Sequence, residues 1–221
     1  MKNALITGVG RGIGKALADK FISQGYHVYG TVLTSPESAN ENFRIFKLDL
    51  GDEKSIQTCV EEIKHDGVTF DVVINNAGIL ADDEETKVVI EKLRKTLEVN
   101  LIGTINFNEH ILDLVKPSGH IIFISSSAGA LSRTGDPSAH YPNHYPAYKI
   151  SKCAINMYMK TLAAREKDKI VSSVHPGRVQ TDLSSFTGDM TPQDAAKEIY
   201  NFAVTNKESG YFWFEGGKMD W

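Results

Sequence analysis

The sequence predicts a single α/β domain with a doubly wound, mostly parallel sheet and helices on both faces. Three observations predict this fold. Short apolar runs alternate with amphipathic helical stretches along the whole chain, as in strand–helix–strand units. Several runs are apolar at every position, which is typical of strands covered on both sides. No Pro-, Gly- or Ser-rich linker interrupts the alternation, so residues 1–221 are predicted to form one domain.

The predicted elements follow in a regular order. Apolar runs predict strands at residues 4–7, 27–32, 44–48, 72–74, 121–124, 170–175 and 211–214, the last of which closes the fold. Apolar residues at helical spacing predict helices at 13–24, 52–65, 87–115 with a break near 99–103, 147–164, and from 191 onwards. Gly25 stands where a helix-ending glycine belongs, and Thr191 before Pro192 is typical of a helix start.

The composition argues against several classes of protein. The formal net charge is −4 and Lys and Arg do not cluster, so no nucleic-acid partner is expected. Two cysteines, Cys59 and Cys153, are too few for a disulfide framework and lack the spacing of a zinc site, so no metal is expected. The apolar run at the N-terminus is too short for a signal sequence or membrane span, so we expect a cytoplasmic protein without a membrane partner.

A glycine-rich turn, residues 7–14, follows the first strand and precedes the first helix. Glycines permit a tight turn and let backbone N–H groups approach a pyrophosphate at a helix N-terminus. The fingerprint G-x-G-x-x-G is not met, because Ile13 takes the place of its last glycine, and the pattern is T-G-x-x-x-G-x-G. A plain turn is the alternative, but the position between strand and helix favours a phosphate-binding loop.

Three further motifs extend the pattern over essentially the whole chain. Asn-Asn-Ala-Gly at 75–78 follows the fourth strand, Tyr148 and Lys152 stand in Y-K-I-S-K, and Pro-Gly at 176–177 follows the sixth strand. With the glycine loop, these motifs resemble the short-chain dehydrogenase/reductase family, whose domain is a Rossmann fold. The ending, residues 209–221, is similar to the C-factor-like and sniffer-like carbonyl reductase branch.

The resemblance implies a nicotinamide dinucleotide cofactor and the residues that would hold it. The glycine loop would contribute Gly8, Gly10, Arg11, Gly12, Ile13 and Gly14. Strand ends, the helix of Tyr148 and the loop after the sixth strand would contribute Thr34, Asp49, Leu50, Asn75, Asn76, Ala77, Gly78, Tyr148, Lys152, Pro176, Gly177, Val179 and Thr181.

Several of these residues have a specific implied contact and a simpler alternative. Asp49 would hydrogen-bond the adenine, or it could be a helix cap. Asn75 and Ala77 would line the cofactor near its ribose, although Asn75 could equally be an ordinary polar strand end. Val179 by its backbone and Thr181 by its hydroxyl would meet the nicotinamide carboxamide, and Thr181 could instead be a helix cap.

The end of the second strand bears on the choice between NADP and NAD. NAD preference needs a carboxylate there for the ribose hydroxyls, and no acidic residue occurs before Glu37. Arg11 resembles the family's basic residue that meets the 2′-phosphate. Leu33 stands where many NADP-dependent members carry arginine, while Thr34 and Ser35 could offer hydroxyl donors. We therefore interpret the preferred cofactor as NADP(H), with NAD(H) as the alternative.

Tyr148 and Lys152 are four residues apart on a predicted helix and therefore share one face. A free tyrosine has a pKa near 10, and a neighbouring ammonium favours its phenolate. Tyr148 could then exchange a proton with a carbonyl or alcohol oxygen, and Lys152 would hold the nicotinamide ribose as in the family. Tyr145 and Lys149 have the same spacing, but the sequence around Tyr148 follows the family pattern and Pro146 leaves Tyr145 outside the helix.

Two further residues complete the implied catalytic set of Asn100, Ser126, Tyr148 and Lys152. Ser126 fits the family's S-x-x-G with Gly129, and its hydroxyl would polarise the substrate oxygen. Its neighbours Ser125 and Ser127 are better explained as strand-end hydroxyls that cap backbone groups. Asn100 matches the family's asparagine that holds a water beside Lys152, or it could only mark a helix break.

The separation of 22 residues between Ser126 and Tyr148 is longer than usual in the family. The extra residues fall in 131–145, which could border the substrate pocket or form an exposed excursion, and 183–190 is a second candidate substrate loop. His140 and His144 are interpreted as loop residues, since no third metal ligand is evident.

The sequence therefore predicts hydride transfer between NADPH and a small carbonyl or alcohol, in a homodimer or homotetramer. The alternative is a cofactor-sensing signalling protein that keeps the fold with little turnover.

Overall fold

The computed structural model describes residues 2–34, 41–136 and 143–221. Its strands are β1 (Lys2–Ile6), β2 (Tyr26–Val32), β3 (Phe43–Lys47), β4 (Phe70–Asn75), β5 (Val115–Ile124), β6 (Ile170–Val174), β7 (Tyr211–Phe214) and β8 (Gly217–Lys218). Its α-helices are α1 (Gly12–Ser23), α2 (Glu53–His65), α3 (Ile90–Leu97), α4 (Thr104–Ile111), α5 (Pro146–Arg165) and α6 (Pro192–Thr205).

The strands form one eight-stranded sheet in the order β3-β2-β1-β4-β5-β6-β7-β8. All neighbouring pairs are parallel except β7 and β8. From β1 the chain first builds outward to β3 and then returns to build outward through β4, so the direction of winding reverses between β1 and β4. The doubly wound, mostly parallel fold predicted from the sequence is confirmed.

Helices cover both faces of the sheet and enclose a separate apolar core on each. On one face, α2, α4 and α5 pack on the sheet through residues such as Ile63, Phe107 and Met159. On the other face, α1 and α6 pack through residues such as Phe21 and Ile199. This double coverage explains why β4 and the second half of β5 are apolar at nearly every position.

The long helical stretch differs from its prediction at both ends and in the middle. It begins at Ile90 rather than at 87, because the β-branched Val89 keeps an extended backbone. The predicted break is a π-helical segment, Glu98–Gly103, that joins α3 to α4 without interrupting the helix. Gly103 lets this segment pack against the loop before α2, because a Cβ on Gly103 would lie 1.8 Å from the Leu50 carbonyl oxygen.

The strand predicted at 211–214 is present as β7, but the prediction that it ends the sheet was wrong. After β7 the chain turns through Glu215 and Gly216, both with positive φ, and returns as the two-residue antiparallel strand β8. Two consecutive residues with positive φ are typical of a tight hairpin turn. The strand is too short to give a periodic sequence signal, which is why it was missed.

Candidate active site

The predicted site residues converge at the carboxyl ends of β1, β4, β5 and β6, where the winding reverses. In open α/β sheets this position forms a crevice, because neighbouring loops leave in opposite directions. A cavity of ≈ 1060 Å³ opens there, and its lining includes Ile13, Ser126, Tyr148, Gly177 and Thr181. The cavity therefore joins the glycine loop to the predicted reactive residues.

The glycine loop has the backbone needed for a phosphate cradle. Gly8 and Gly12 adopt positive φ values of 74° and 55°, which glycine adopts without steric cost. A Cβ on Gly14 would lie 2.1 Å from the Gly8 carbonyl oxygen, so only glycine lets α1 start this close to the turn. The N–H groups at the start of α1 face the space that an anion would take. These features fit a dinucleotide pyrophosphate.

Thr7 and the segment after β4 hold this loop in place. The Thr7 hydroxyl accepts hydrogen bonds from the N–H groups of Asn76 and Ala77, both at 3.0 Å. The Asn76 amide in turn donates to the carbonyl oxygens of Thr7 and Gly8 at 2.9 and 3.3 Å. Asn76 therefore braces the glycine loop through its side chain.

Asn75 is turned away from the predicted cofactor groove. Its side chain is buried and exchanges two hydrogen bonds with Asn108 of α4, at 2.9 and 2.6 Å. The polar strand end considered in the sequence is thus a buried amide pair that joins β4 to α4. Contact between Asn75 and a cofactor would fall to its backbone.

Asp49 lies at the end of β3 beside the groove, and its carboxylate accepts the Gly51 N–H at 2.8 Å. The helix cap considered for Asp49 belongs to Asp52, whose side chain accepts the Lys54 N–H at 3.0 Å. Leu50 is buried next to the π-helical segment. Asp49 therefore shapes the turn between β3 and α2.

Arg11 lies in the glycine loop and Thr34 follows β2, and the sequence implied cofactor contacts for both. Both side chains are exposed. The Arg11 guanidinium forms an ion pair with Asp182, which lies in the loop after β6. Ser35 and Glu37, which the sequence also raised for cofactor choice, fall outside the described residues.

Tyr148 and Lys152 lie on the first two turns of α5, and Tyr148 lines the cavity. The Lys152 ammonium is 5.4 Å from the centre of the Tyr148 ring and donates to the carbonyl oxygen of Ile124, at the end of β5, at 2.7 Å. The Tyr148 side chain also interacts with that of Ser126, and this interaction lowers the pKa of the phenol. These contacts bring the three predicted reactive groups into one constellation.

Burial shifts the pKa of both residues. It raises the pKa of Tyr148 above its ordinary value of 10.0, against which the hydrogen bond with Ser126 acts in the opposite direction. It also lowers the pKa of Lys152 from 10.5 to about 8, because the charged ammonium loses hydration in the interior. At neutral pH Tyr148 is thus a protonated phenol beside a charged lysine.

The alternative pair, Tyr145 and Lys149, lies at the rim of the same cavity. The Lys149 ammonium is 5.1 Å from the Tyr145 ring centre. Tyr145 directly precedes α5 in a left-handed conformation, with φ 48°, so Pro146 does leave it outside the regular helix. Tyr148 interacts with Ser126 and lies within the regular helix, which favours the Tyr148 register.

The three serines after β5 have different surroundings. The Ser125 hydroxyl is buried and lies 3.5 Å from the Lys152 carbonyl oxygen. The Ser126 hydroxyl accepts the Ala128 N–H at 3.1 Å while facing Tyr148. Gly129 packs against α5, where a Cβ would lie 2.6 Å from the Lys152 carbonyl carbon. The S-x-x-G spacing therefore serves both the hydroxyl and the approach of α5.

Asn100 lies in the π-helical segment and acts as a brace. Its side chain accepts the Ile79 N–H at 2.8 Å, and its amide donates to the Ile79 carbonyl oxygen at 2.9 Å and to the Ser151 hydroxyl at 3.1 Å. A Cβ on Gly78 would lie 3.2 Å from the Asn100 amide oxygen and 3.8 Å from the Lys152 ammonium. Asn100 thus connects the loop after β4 to α5 beside Lys152.

The loop after β6 covers the groove. Gly177 has a φ of 84°, and Val179 is buried and forms a bridge with Met190. The Thr181 methyl group lies 3.3 Å from where a Cβ on Gly12 would be. The Thr181 N–H donates to the Ser184 hydroxyl at 3.0 Å, so a short 3-10 turn does begin at Thr181. Glycine loop and covering loop therefore touch where the pyrophosphate would lie.

Comparison with known proteins assigns the family. Residues 2–192 match the family model described as short chain dehydrogenase. This chain belongs to the short-chain dehydrogenase family. It is an oxidoreductase, as are the relatives it matches.

One such relative is the 3-oxoacyl-(acyl-carrier-protein) reductase FabG of Escherichia coli (strain K12). It is 28% identical over 199 residues, which make up 85% of this chain and 78% of FabG. The structure of NADPH-bound carbonyl reductase from chicken fatty liver covers 100% of this chain and 94% of its own, with a TM-score of 0.89 and 23% identity. The carbonyl reductase Sniffer of D. melanogaster covers 100% of both chains, with a TM-score of 0.88 and 24% identity. At these identities the two structures show a shared fold.

The short-chain dehydrogenase site contains residues that the motifs did not point to. His175 lines the cavity with its ring 4.7 Å from that of Phe214. Burial, assisted by the charge of Arg133, lowers the pKa of His175 from 6.5 to about 4, so it is neutral at pH 7. His144 also lines the cavity, whereas His140 falls outside the described residues. Only the position of His175 before Pro176 could have signalled its place.

The described residues contain neither a metal-binding cluster nor a membrane-spanning helix. Within residues 2–34, 41–136 and 143–221, no group of three His, Cys, Asp or Glu side chains could hold a metal ion. No helix in the same residues is long and apolar enough to cross a membrane.

Proposed function

We propose that this short-chain dehydrogenase transfers hydride between NADP(H) and a small carbonyl or alcohol, with Tyr148 as the general acid and base. The observation that carries the proposal is that Tyr148 and Ser126 line the same cavity, with the Lys152 ammonium 5.4 Å from the centre of the Tyr148 ring. A proton donor in a closed core could not reach a substrate. Here Tyr148 and Ser126 line a large cavity that also extends to Ile13 of the glycine loop. This arrangement favours an enzyme over a sensing protein, which would not need a proton-transfer chain.

The chain's residues have distinct roles in carbonyl reduction. The loop of Gly8 to Gly14 would hold the cofactor pyrophosphate, and the bound nicotinamide would supply the hydride to the carbonyl carbon. Ser126 donates a hydrogen bond to the carbonyl oxygen, where negative charge develops. Tyr148 gives its proton to that oxygen, which completes the alcohol. Lys152 stabilises the tyrosinate that remains until a proton returns from solvent.

The test is to mix the protein with NADPH or NADH and a panel of ketones, aldehydes and quinones, and to follow cofactor oxidation. Calorimetry measures cofactor binding in the same samples. We expect binding in the micromolar range and turnover of at least one carbonyl. A protein that binds neither cofactor would remove the proposal altogether.

We propose NADPH as the preferred cofactor because of Arg11. The end of β2 has no acidic residue up to Thr34, and Arg11 is the cation of the glycine loop. The chicken carbonyl reductase that shares the fold was crystallised with NADPH, which supports the same choice. In this structure the Arg11 guanidinium already has a partner in Asp182. Asp182 should therefore compete with a 2′-phosphate for Arg11.

Asp182→Asn should strengthen NADPH binding by about 2- to 5-fold, because an exposed ion pair contributes up to about 1 kcal/mol. NADH affinity should change little, since NADH has no 2′-phosphate. Arg11→Met should weaken NADPH binding alone. Fluorescence titration of both cofactors against the three proteins checks this. Equal changes for NADPH and NADH in Asp182→Asn would contradict the competition and indicate a general effect on the covering loop.

We propose a homodimer or homotetramer assembled through the helices around α5. Ile90 of α3 and Ile150 and Met157 of α5 are large apolar residues with exposed fractions of 56%, 43% and 68%. Such residues are better covered by a second copy than by water. Light scattering on a size-exclusion column should give a mass of two or four chains, and a 24.4 kDa species would refute this. A cytoplasmic location stays a prediction.

A further inference from the structure

The start of α5 is capped by a residue from a distant part of the chain. Tyr145, which precedes the helix, has a left-handed backbone, and its side chain makes no capping hydrogen bond. The Asp82 carboxylate takes that place, accepting the N–H of Ala147 at 2.6 Å and the N–H of Tyr148 at 3.3 Å. Asp82 thus binds the backbone of the residue whose phenol faces the cavity.

The surroundings of Asp82 make this contact specific. The residue is only 1% exposed, and a buried carboxylate is costly unless its charge is compensated. Here the N–H groups and the positive end of the α5 dipole compensate it. An Ala in this position would leave these N–H groups without an acceptor in the interior, so α5 could begin correctly only with a rearranged first turn.

The segment that carries Asp82 is fixed at both ends. Near its start, the Ile79 backbone is held by the Asn100 side chain. Near its end, the Glu85 carbonyl oxygen accepts the Tyr145 N–H at 2.9 Å, and the Glu85 carboxylate pairs with Lys92 at 2.6 Å. A rigid segment can set the position of α5, whereas a free loop could only follow it.

We propose that Asp82 is a positioning residue that sets the place of the Tyr148 phenol relative to Ser126. The inference rests on the proposed function for its kinetic consequence, but not for its structural one. Asp82 acts on the helix backbone at Tyr148, and Asn100 acts one turn later at Ser151. The two braces together fix the first two turns of α5, which carry Tyr148 and Lys152.

The test compares Asp82→Ala with Asp82→Asn and with Asp52→Ala. Asp52 caps α2 by the same kind of bond, to the Lys54 N–H at 3.0 Å, and lies away from the cavity. Asp82→Ala should lower kcat by about 10- to 100-fold, because a small displacement of a reacting group has effects of that order. The Kd for NADPH should stay within about 2-fold in all three variants. Asp82→Asn keeps an acceptor oxygen but loses the charge, so it should recover only part of kcat, because a charged acceptor makes the stronger hydrogen bond.

A second measurement does not depend on turnover. In protein with isotope-labelled tyrosine, the Tyr148 ring resonance is assigned by its loss in Tyr148→Phe. We expect this resonance to move in Asp82→Ala and to stay in Asp52→Ala, and amide exchange at the start of α5 to accelerate in Asp82→Ala only. If the wild-type protein reduced no carbonyl, the proposed function would fail while these readouts still decided the positioning role.

The inference is overturned if Asp82→Ala leaves kcat and the Tyr148 resonance unchanged. It is also overturned if Asp52→Ala lowers kcat per folded molecule as much as Asp82→Ala, because the effect would then be general loss of stability. Should Asp82→Ala fail to fold, Asp82→Asn carries the comparison: a resonance and an exchange rate identical to wild type would count against a role for the charge, and a shifted resonance with reduced kcat would support it.

Discussion

Tyr148→Phe should lower the rate of carbonyl reduction by at least about 100-fold while leaving the binding of NADPH within about 2-fold. The substitution removes one hydroxyl, and with it the proton that completes the alcohol. Ser126 keeps its place, because the same hydroxyl accepts the Ala128 N–H. Phenylalanine fits the space of the tyrosine ring, so the cavity and the glycine loop should stay intact. The loss should therefore fall on kcat.

Two control substitutions, Tyr145→Phe and Tyr158→Phe, separate the loss of the Tyr148 hydroxyl from the loss of a tyrosine hydroxyl elsewhere. Tyr145→Phe tests the competing register and should cost less than about 3-fold, because Tyr148 is the tyrosine beside Lys152 and within the helix. Tyr158→Phe removes a hydroxyl from the same helix, where it donates to Glu109 at 2.7 Å, away from the cavity. Single-turnover absorbance at 340 nm, a wavelength at which NADPH absorbs, measures all three. Turnover that survives in Tyr148→Phe and collapses in Tyr145→Phe would assign the chemistry to the other register.

Local patterns in the sequence were enough to predict most of the fold. Apolar runs marked the strands, and single residues marked helix ends: Gly25 has a φ of 80° after α1, and Thr191 accepts the Asp194 N–H at the start of α6. These signals work because strand burial and helix capping depend on neighbouring residues. The short β8 has no such local signal, since it arises from a tight turn. The break predicted near 99–103 marked the place of the π-helical segment but not its form, which depends on the close approach of Gly103 to Leu50.

The site could be predicted only in part for the same physical reason. The resemblance to the family brought Ser126, Tyr148 and Lys152 together before the structure did, because the sequence around them follows the family's motifs. The supporting contacts join residues far apart in the chain, such as Asn75 with Asn108 and Asp82 with Ala147. Nothing next to Asp82 in the sequence indicates a helix that begins 64 residues later. Such partners become visible only when the chain is folded.

The buried charge of Lys152 lowers the stability of the fold. Its side chain is buried, with 7% of the residue exposed, and its pKa falls from 10.5 to about 8. A difference of this size corresponds to a cost of about 3 kcal/mol for holding the charged form inside the protein. The hydrogen bond to the Ile124 carbonyl oxygen offsets part of that cost. In the proposed mechanism this charge stabilises the tyrosinate of Tyr148.

Lys152→Met should therefore abolish most carbonyl reduction and at the same time stabilise the fold at pH 7. The substitution removes the buried charge, worth about 3 kcal/mol, but leaves the Ile124 carbonyl oxygen unpaired at a cost of about 1 to 2 kcal/mol. The free energy of unfolding should rise by about 1 to 2 kcal/mol, and kcat should fall by at least about 100-fold. Urea unfolding and steady-state kinetics measure the two effects.

The stability difference between wild type and Lys152→Met should also depend on pH, in a direction that follows from the lowered pKa of Lys152. Between about pH 8 and 10.5 the unfolded chain keeps the Lys152 proton that the folded protein has lost. Because the unfolded state then binds more protons, wild-type stability gains from this residue as pH rises through that window, and the cost is fully present below about pH 8. Lys152→Met lacks this contribution, so its advantage should shrink between pH 7 and pH 10.

Lys160→Met is the matched control, since Lys160 on the same helix donates to the Gly210 carbonyl oxygen at 2.9 Å from an exposed position. It should lose stability slightly at both pH values and keep its activity; if Lys152→Met behaved in the same way, the buried charge would not oppose folding and the cost assigned to Lys152 would be wrong.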